Sequence, residues 1–191
     1  MSELGRPDPE ENAAARAAAD RYDSTTITLH WLSAACVVVL WILGQTIDDF
    51  AKGLPRMSAR SAHIVLGAVL LAIFVVRVTW RARRGRRLPP ADRGAVGRAA
   101  VLAHRLLYIL VGATLVLGVA NAWIRGDTLV GLFKIPSLAP GNDALREQVE
   151  DLHAWLANTV VIVAGLHAVA ALFHHFVRRD TVLLRMLRPP R

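Results

Sequence analysis

The chain has 191 residues, 54% of them hydrophobic, and a formal net charge of +8. So much apolar surface and so much charge cannot be evenly mixed, which excludes an ordinary soluble surface pattern and requires segregation along the chain. The single cysteine, Cys36, excludes an intramolecular disulfide and any all-cysteine iron–sulfur cluster held by this chain alone.

Residues 1–23 hold six acids and three arginines and no apolar stretch, so they are not a signal peptide and read as a disordered cytoplasmic tail. From 24 to 191 the chain reads as one unit built on four apolar runs, at about 27–47, 62–80, 101–123 and 153–177. Each is near the ~20 residues that a helix needs to cross a bilayer. The first opens on Ser24-Thr25-Thr26, whose hydroxyls can cap a helix, and ends at Asp48 and Asp49. Cys36 within it reads as a small packed apolar residue. A turn at Gly53-Leu54-Pro55 leads to the second run, which stops at an arginine-rich stretch and Pro89-Pro90. The third ends near Trp123, and the loop 124–151 is long enough to fold over the mouth of a bundle. Its last part, 143–151, reads as an amphipathic start to the fourth run.

Runs such as Val37-Val38-Val39-Leu40-Trp41-Ile42-Leu43 are apolar all round, which argues against a soluble four-helix bundle. The fold expected is all-α: an integral membrane four-helix bundle. Arg81, Arg83, Arg84, Arg86, Arg87, Arg93 and Arg98 lie between runs two and three, and Arg178, Arg179, Arg185, Arg188 and Arg191 after run four. The other two connections are far less basic. Cations retained on the cytoplasmic side then put both termini inside. Topology thus explains the high pI, and a nucleic-acid role for the arginines is set aside. Trp31 and Trp80 mark the inner surface, Trp123 and Trp155 the outer one, and no internal repeat or low-complexity tract is visible.

His153 and His167 are 14 residues apart on the fourth run. Fourteen steps return to nearly the same helix face and separate the rings by about 21 Å, so they define two sites rather than one. With alternating helix directions, His63 falls at the depth of His153 and His30 near that of His167. His63 with His153 can clamp an outer cofactor, and His30 with His167 an inner one. Two neutral imidazoles suit the two axial positions of haem iron, giving two b-type haems enclosed in the bundle. Zinc would need more ligands than these pairs supply. For any one intramembrane histidine alone, helix packing is the commoner role, and a histidine proton relay is the rival for the set.

Gly44 lies 14 residues after His30 and Gly118 14 after His104, which puts both near the outer level on faces that can leave room for a flat macrocycle. Gly67 and Gly165 can serve likewise; ordinary small-residue packing is the alternative. Arg77, 14 residues after His63, reaches the inner level, where a haem propionate or an anionic quinone would pair it, unless it snorkels to headgroups. His104 and Tyr108, with Arg105 beside them, read as lining an inner quinone pocket, and His104 also rivals His30 as an inner ligand. His174 and His175 read as interfacial and inert.

Taken together, Ile27-Thr28-Leu29-His30-Trp31, Ala62-His63-Ile64-Val65-Leu66-Gly67, Ala103-His104-Arg105-Leu106-Leu107-Tyr108 and His153-Ala154-Trp155-Leu156-Ala157-Asn158 resemble the bacterial di-haem cytochrome b561 family. Gly165-Leu166-His167-Ala168, His174-His175 and Leu183-Leu184-Arg185-Met186 extend the resemblance from about residue 22 to 189. It implies two b haems ligated as paired above and electron exchange with ubiquinone. It also implies an oxidoreductase of the superoxide oxidase or quinone reductase type, since some members oxidise superoxide at the outer face. The outer loops carry six basic residues and seven acids, so no net positive field steers an anion there, and guidance would be local, by Arg125, Lys134, Arg56 or Arg60. Two other readings compete. One is a membrane anchor relaying electrons from a dehydrogenase or hydrogenase partner, which would co-purify with an iron–sulfur protein. The other is a haem-free transporter or proton channel, which would be colourless.

Overall fold

The computed structural model describes residues 21–86, 88, 89, 92 and 94–187. Four long helices dominate it: α1 Ser24–Thr46, α2 Leu54–Arg83, α3 Gly94–Arg125 and α4 Asp143–Phe173. A 3-10 turn, Ile47–Asp49, prolongs α1, and a π turn, His174–Arg178, prolongs α4. The expected tail lies almost wholly outside the described residues. Every helix begins before the apolar run inside it, α2 by eight residues and α4 by ten. An apolar run reports only the hydrocarbon slab, whereas the backbone ladder continues until a cap or a glycine ends it.

Local chemistry sets those ends. Asp23, not the serine and threonines that follow, caps α1: its carboxylate accepts from Thr26 N at 2.9 Å and from Thr26 Oγ1 at 2.7 Å. A carboxylate takes both donors at once, which a hydroxyl at 24 or 25 could not do from inside the first turn. Asp23 also accepts from Trp80 Nε1 and Arg86 N, tying the start of α1 to the end of α2. Burial pushes the Asp23 carboxyl up, but these hydrogen bonds outweigh it and hold it at about 2. Asp23→Ala should lower stability in detergent by about 1 kcal/mol, read by thermal unfolding. Since the folded carboxyl titrates below its unfolded value of about 4, that contribution is full at neutral pH and fades as pH falls toward 2. At the other end of the bundle Asn142 caps α4 through Leu145 N.

The helices form two hairpins, α1 with α2 and α3 with α4, each closely packed, while α2 meets α3 and α1 meets α4 more sparsely. The order around the bundle is α1, α2, α3, α4, so α2 faces α4 across the diagonal. Both interhelical connections within hairpins lie at one end, called here the loop end; the opposite one is the terminal end. Leu40, Leu70 and Leu115 form the buried centre, with Cys36, Phe74 and Val111 packed on it. Leu70 lies seven residues from both His63 and Arg77, and buried Val160 seven from both His153 and His167. The apolar core therefore sits halfway between the two histidine levels.

Large apolar side chains elsewhere point outward, including Val38, Ile42, Val65, Ile109, Val116, Ile162 and Val169. An outside this apolar is stable only against lipid. All four helices are long and apolar enough to cross a membrane.

The loop after α3 forms a small antiparallel pair, β1 Thr128–Leu129 and β2 Phe133–Lys134. Val130 N donates to Ser61 Oγ at 2.9 Å, which fastens this hairpin to α2. Ser61 is two residues, or about 200°, from His63. The hairpin therefore lies along the flank of α2 turned away from the histidines, instead of folding over the mouth. At the terminal end residues 181–187 cross beneath the bundle, with Trp31 Nε1 donating to Met186 O at 2.8 Å and Tyr22 N to Arg185 O at 3.2 Å.

Candidate functional site

The histidines lie at two levels. Toward the loop end, His63 of α2 and His153 of α4 face each other across the bundle, ring centroids 6.2 Å apart and planes at 77°. His153 Nδ1 lies 3.1 Å from Thr114 O. A carbonyl only accepts, so this contact puts the proton on Nδ1 and leaves the Nε2 lone pair free for a metal. His63 Nδ1 is buried without a hydrogen bond of good geometry among the described residues, although the Leu40 carbonyl lies near it.

The two glycines of this level back the two rings. A Cβ on Gly44 would stand 3.4 Å from His63 Cε1, and one on Gly118 3.1 Å from His153 Cε1. Each α-carbon thus abuts an imidazole, and a side chain there would take the space the ring occupies. Gly67 and Gly165 meet nothing within 4 Å.

Near the terminal end the arrangement differs. His104 of α3 packs edge-on against His167 of α4, centroids 4.9 Å apart. His30 of α1 instead meets Arg77 of α2, its Nδ1 2.9 Å from Nη2, while lying within electrostatic reach of His167 and His104. The Arg77 guanidinium also stands over the Tyr108 ring at 5.2 Å and has no ion pair among the described residues. His30, Arg77, His104, Tyr108 and His167 are thus brought into one polar cluster within an apolar bundle. Arg105 is exposed and stands apart from that cluster. His104 Nδ1 contacts Ala100 O at 2.6 Å, which again leaves Nε2 free.

Of the cations near the loop end, Arg125 is engaged by Glu150 at 2.7 Å and Asp127 at 3.5 Å, its side chain only 10% exposed. Lys134 is exposed on β2. A cavity of about 290 Å³, unmarked by any motif, is lined by Lys52, Arg56, Arg60 and Asp127. The only signal for it in sequence is the run of basic residues at the start of α2.

His174 is not inert. Seven residues beyond His167 on the same face, it holds Asp180 through Nδ1 at 2.6 Å and approaches Asp92 through Nε2 at 3.6 Å. Arg178 forks onto Asp92 at 2.7 and 2.8 Å and keeps that carboxyl below the usual range. No spacing rule connects residue 92 to residue 174, which is why the group escaped sequence reasoning.

Among the described residues no three of His, Cys, Asp and Glu converge as on a bare metal ion. The donors are paired imidazoles with a free Nε2 at His153 and His104, and glycines hold the rings of His63 and His153. Paired imidazoles between helices are the donor set of a b-type haem, and these residues fit one.

Comparison with known proteins agrees with this chemistry. A family profile for prokaryotic cytochrome b561 matches residues 21–189. The chain is 30% identical over 170 residues to the "Probable superoxide oxidase CybB" of Yersinia pestis, covering 87% of this chain and 96% of that protein. It is 32% identical over 177 residues to "Cytochrome b562" of Cereibacter sphaeroides, covering 88% and 96%. With "Cytochrome b561 homolog 2" of Escherichia coli K12 it shares 30% over 177 residues, covering 88% and 92%. Four membrane-length helices, intramembrane imidazoles and a match along nearly the whole chain lead to one identification: the chain belongs to the prokaryotic cytochrome b561 family of multi-pass membrane electron-transfer cytochromes.

Proposed function

We propose that the protein carries two b haems and moves electrons across the bacterial inner membrane to ubiquinone, with superoxide as the donor at the outer face. The observation that carries this reading is the repeated 14-residue register, which gives two imidazole levels about 21 Å apart separated by a packed apolar layer. When bound, each haem supplies reversible one-electron chemistry that no side chain here offers.

His63 and His153 hold the group at the loop end, and Gly44 and Gly118 keep those rings in place. At the terminal end the helices within a hairpin are closely packed and the seam between hairpins is sparse, so a haem there would be held by one donor from each hairpin. His30 is the only histidine of the first hairpin at that level, and His167 is its partner. Arg77, a membrane-buried cation, would pair an anionic propionate or quinone oxygen. His104 Nε2 and Tyr108 Oη, with Arg105 near the headgroups, serve the quinone and deliver its protons. The balance is two superoxide, one ubiquinone and two protons giving two dioxygen and one ubiquinol.

Both termini then face the cytoplasm, and the loop end faces outward. Arg125 holds the loop through Glu150 and Asp127, Arg56 pairs with Asp48 at 3.4 Å and Arg60 reaches Asp127 at 4.0 Å, so among the described residues of this end Lys52 and Lys134 are the cations left to attract superoxide.

The deciding measurement is a dithionite-reduced spectrum with pyridine haemochrome stoichiometry. Two haems per chain are expected; a colourless, well-folded protein would sink the reading. Rapid mixing with superoxide should then reduce the haems, and a ubiquinone analogue should reoxidise them. Haems that stay oxidised on mixing would remove superoxide as the donor.

A further inference from the structure

We propose that the hairpin between α3 and α4 is a membrane finger, with Val130, Leu132 and Phe133 at its tip seated in the lipid leaflet at the loop end. Leu132 N donates to Leu129 O at 2.9 Å around a turn whose central residues, Val130 and Gly131, have φ of 51° and 72°. Positive φ values at the centre of a turn are usually taken by asparagine and glycine, and a β-branched residue at the first of them is strained. Water gives nothing back for placing valine there. The tip side chains nonetheless point away from the protein: Val130 is 63% exposed, Leu132 90% and Phe133 63%.

Position along the bundle says what meets them. Ser61, only 3% exposed, accepts from Val130 N, and Gly131 lies against Met57, whose Cε would stand 3.6 Å from a Cβ there. Met57, Ser61 and Val65 follow at four-residue steps on one face of α2, the face opposite His63, and Val65 is 48% exposed to the surroundings of the bundle. The finger therefore continues the lipid-facing stripe of α2 directly. Its depth is bracketed by two exposed tryptophans. Trp155 lies about 3 Å deeper than His153, and Trp123 about 7 Å beyond Gly118, which abuts His153. Ser61, about 3 Å beyond His63, falls between those levels, in the zone that interfacial aromatics mark. Lys134, next along the strand, has the reach to meet headgroups from there.

The test uses the full chain with Cys36→Ala, carrying either Leu132→Cys or, as an aqueous control above the membrane, Ala144→Cys. Each is labelled with an environment-sensitive fluorophore and placed one chain per nanodisc. For Leu132→Cys, emission should shift to shorter wavelength, iodide quenching should fall several-fold below the control, and phospholipid spin-labelled near the headgroup should quench it. Iodide quenching equal to the control with no response to the spin-labelled lipid overturns the proposal. So does protection that appears only with two chains per disc, which would assign the tip to a second copy. The outcome is independent of which cofactors the bundle carries.

Discussion

His153→Ala should lower the haem content from two per chain to one, and His63→Ala should remove the same haem. The two rings face each other at 6.2 Å on diagonal helices, and a haem held between them would lose one of its two protein donors when either ring goes. The double variant should then lose no more than either single one, because both changes empty one site. His30→Ala and His167→Ala should each remove the other haem, leaving a spectrum unlike that of His153→Ala. His104→Ala should keep both. Pyridine haemochrome assay per mole of protein, with the reduced α-band, reads every case. If His104→Ala empties the terminal-end site and His30→Ala does not, the ligand is on α3 and both donors come from one hairpin.

Gly118→Val should empty the loop-end haem site several-fold without unfolding the bundle. A single Cβ there would already stand 3.1 Å from His153 Cε1, closer than ordinary contact, and valine adds two methyls on a branched carbon. The ring cannot retreat far, since α3 and α4 are closely packed and Nδ1 is held at Thr114 O. Gly118→Ala demands only a few tenths of an ångström, so it should keep the haem with a shifted spectrum. The backbone effect runs the other way: replacing a helical glycine by alanine stabilises a helix by up to about 1 kcal/mol. Haem loss despite a better helix would isolate the steric cause. Gly165→Val is the control, because nothing lies within 4 Å of its α-carbon side. Equal haem loss in Gly165→Val and Gly118→Val would show that small residues matter here only for general packing.

The four crossings were legible because lipid demands about 20 consecutive apolar residues, a signal no tertiary contact can mask. Helix ends were less so. Asp23 caps α1 because Trp80 and Arg86, some sixty positions away, stabilise its carboxylate from another helix. The 14-residue register was readable at each of the four helices, and it already aligned Gly44 with His30 and Gly118 with His104. What each of those residues touches depends on how neighbouring helices are rotated and staggered. Hence Gly44 and Gly118 meet His63 and His153, whereas at the other level His30 meets Arg77 and His104 meets His167. Asp92, His174 and Asp180 form their network across a break of more than eighty residues, with no spacing to announce it.

The sequence by itself determined the environment, the number of crossings and the two depths at which imidazoles lie. All three follow from composition and helical rise, which are local properties of a chain. Only the tertiary structure decided which rings face each other, which glycines stand behind them, and that the β1–β2 hairpin lies against the flank of α2. Those depend on interhelical rotation and on one buried hydroxyl, Ser61, and both are set by packing between segments distant along the chain.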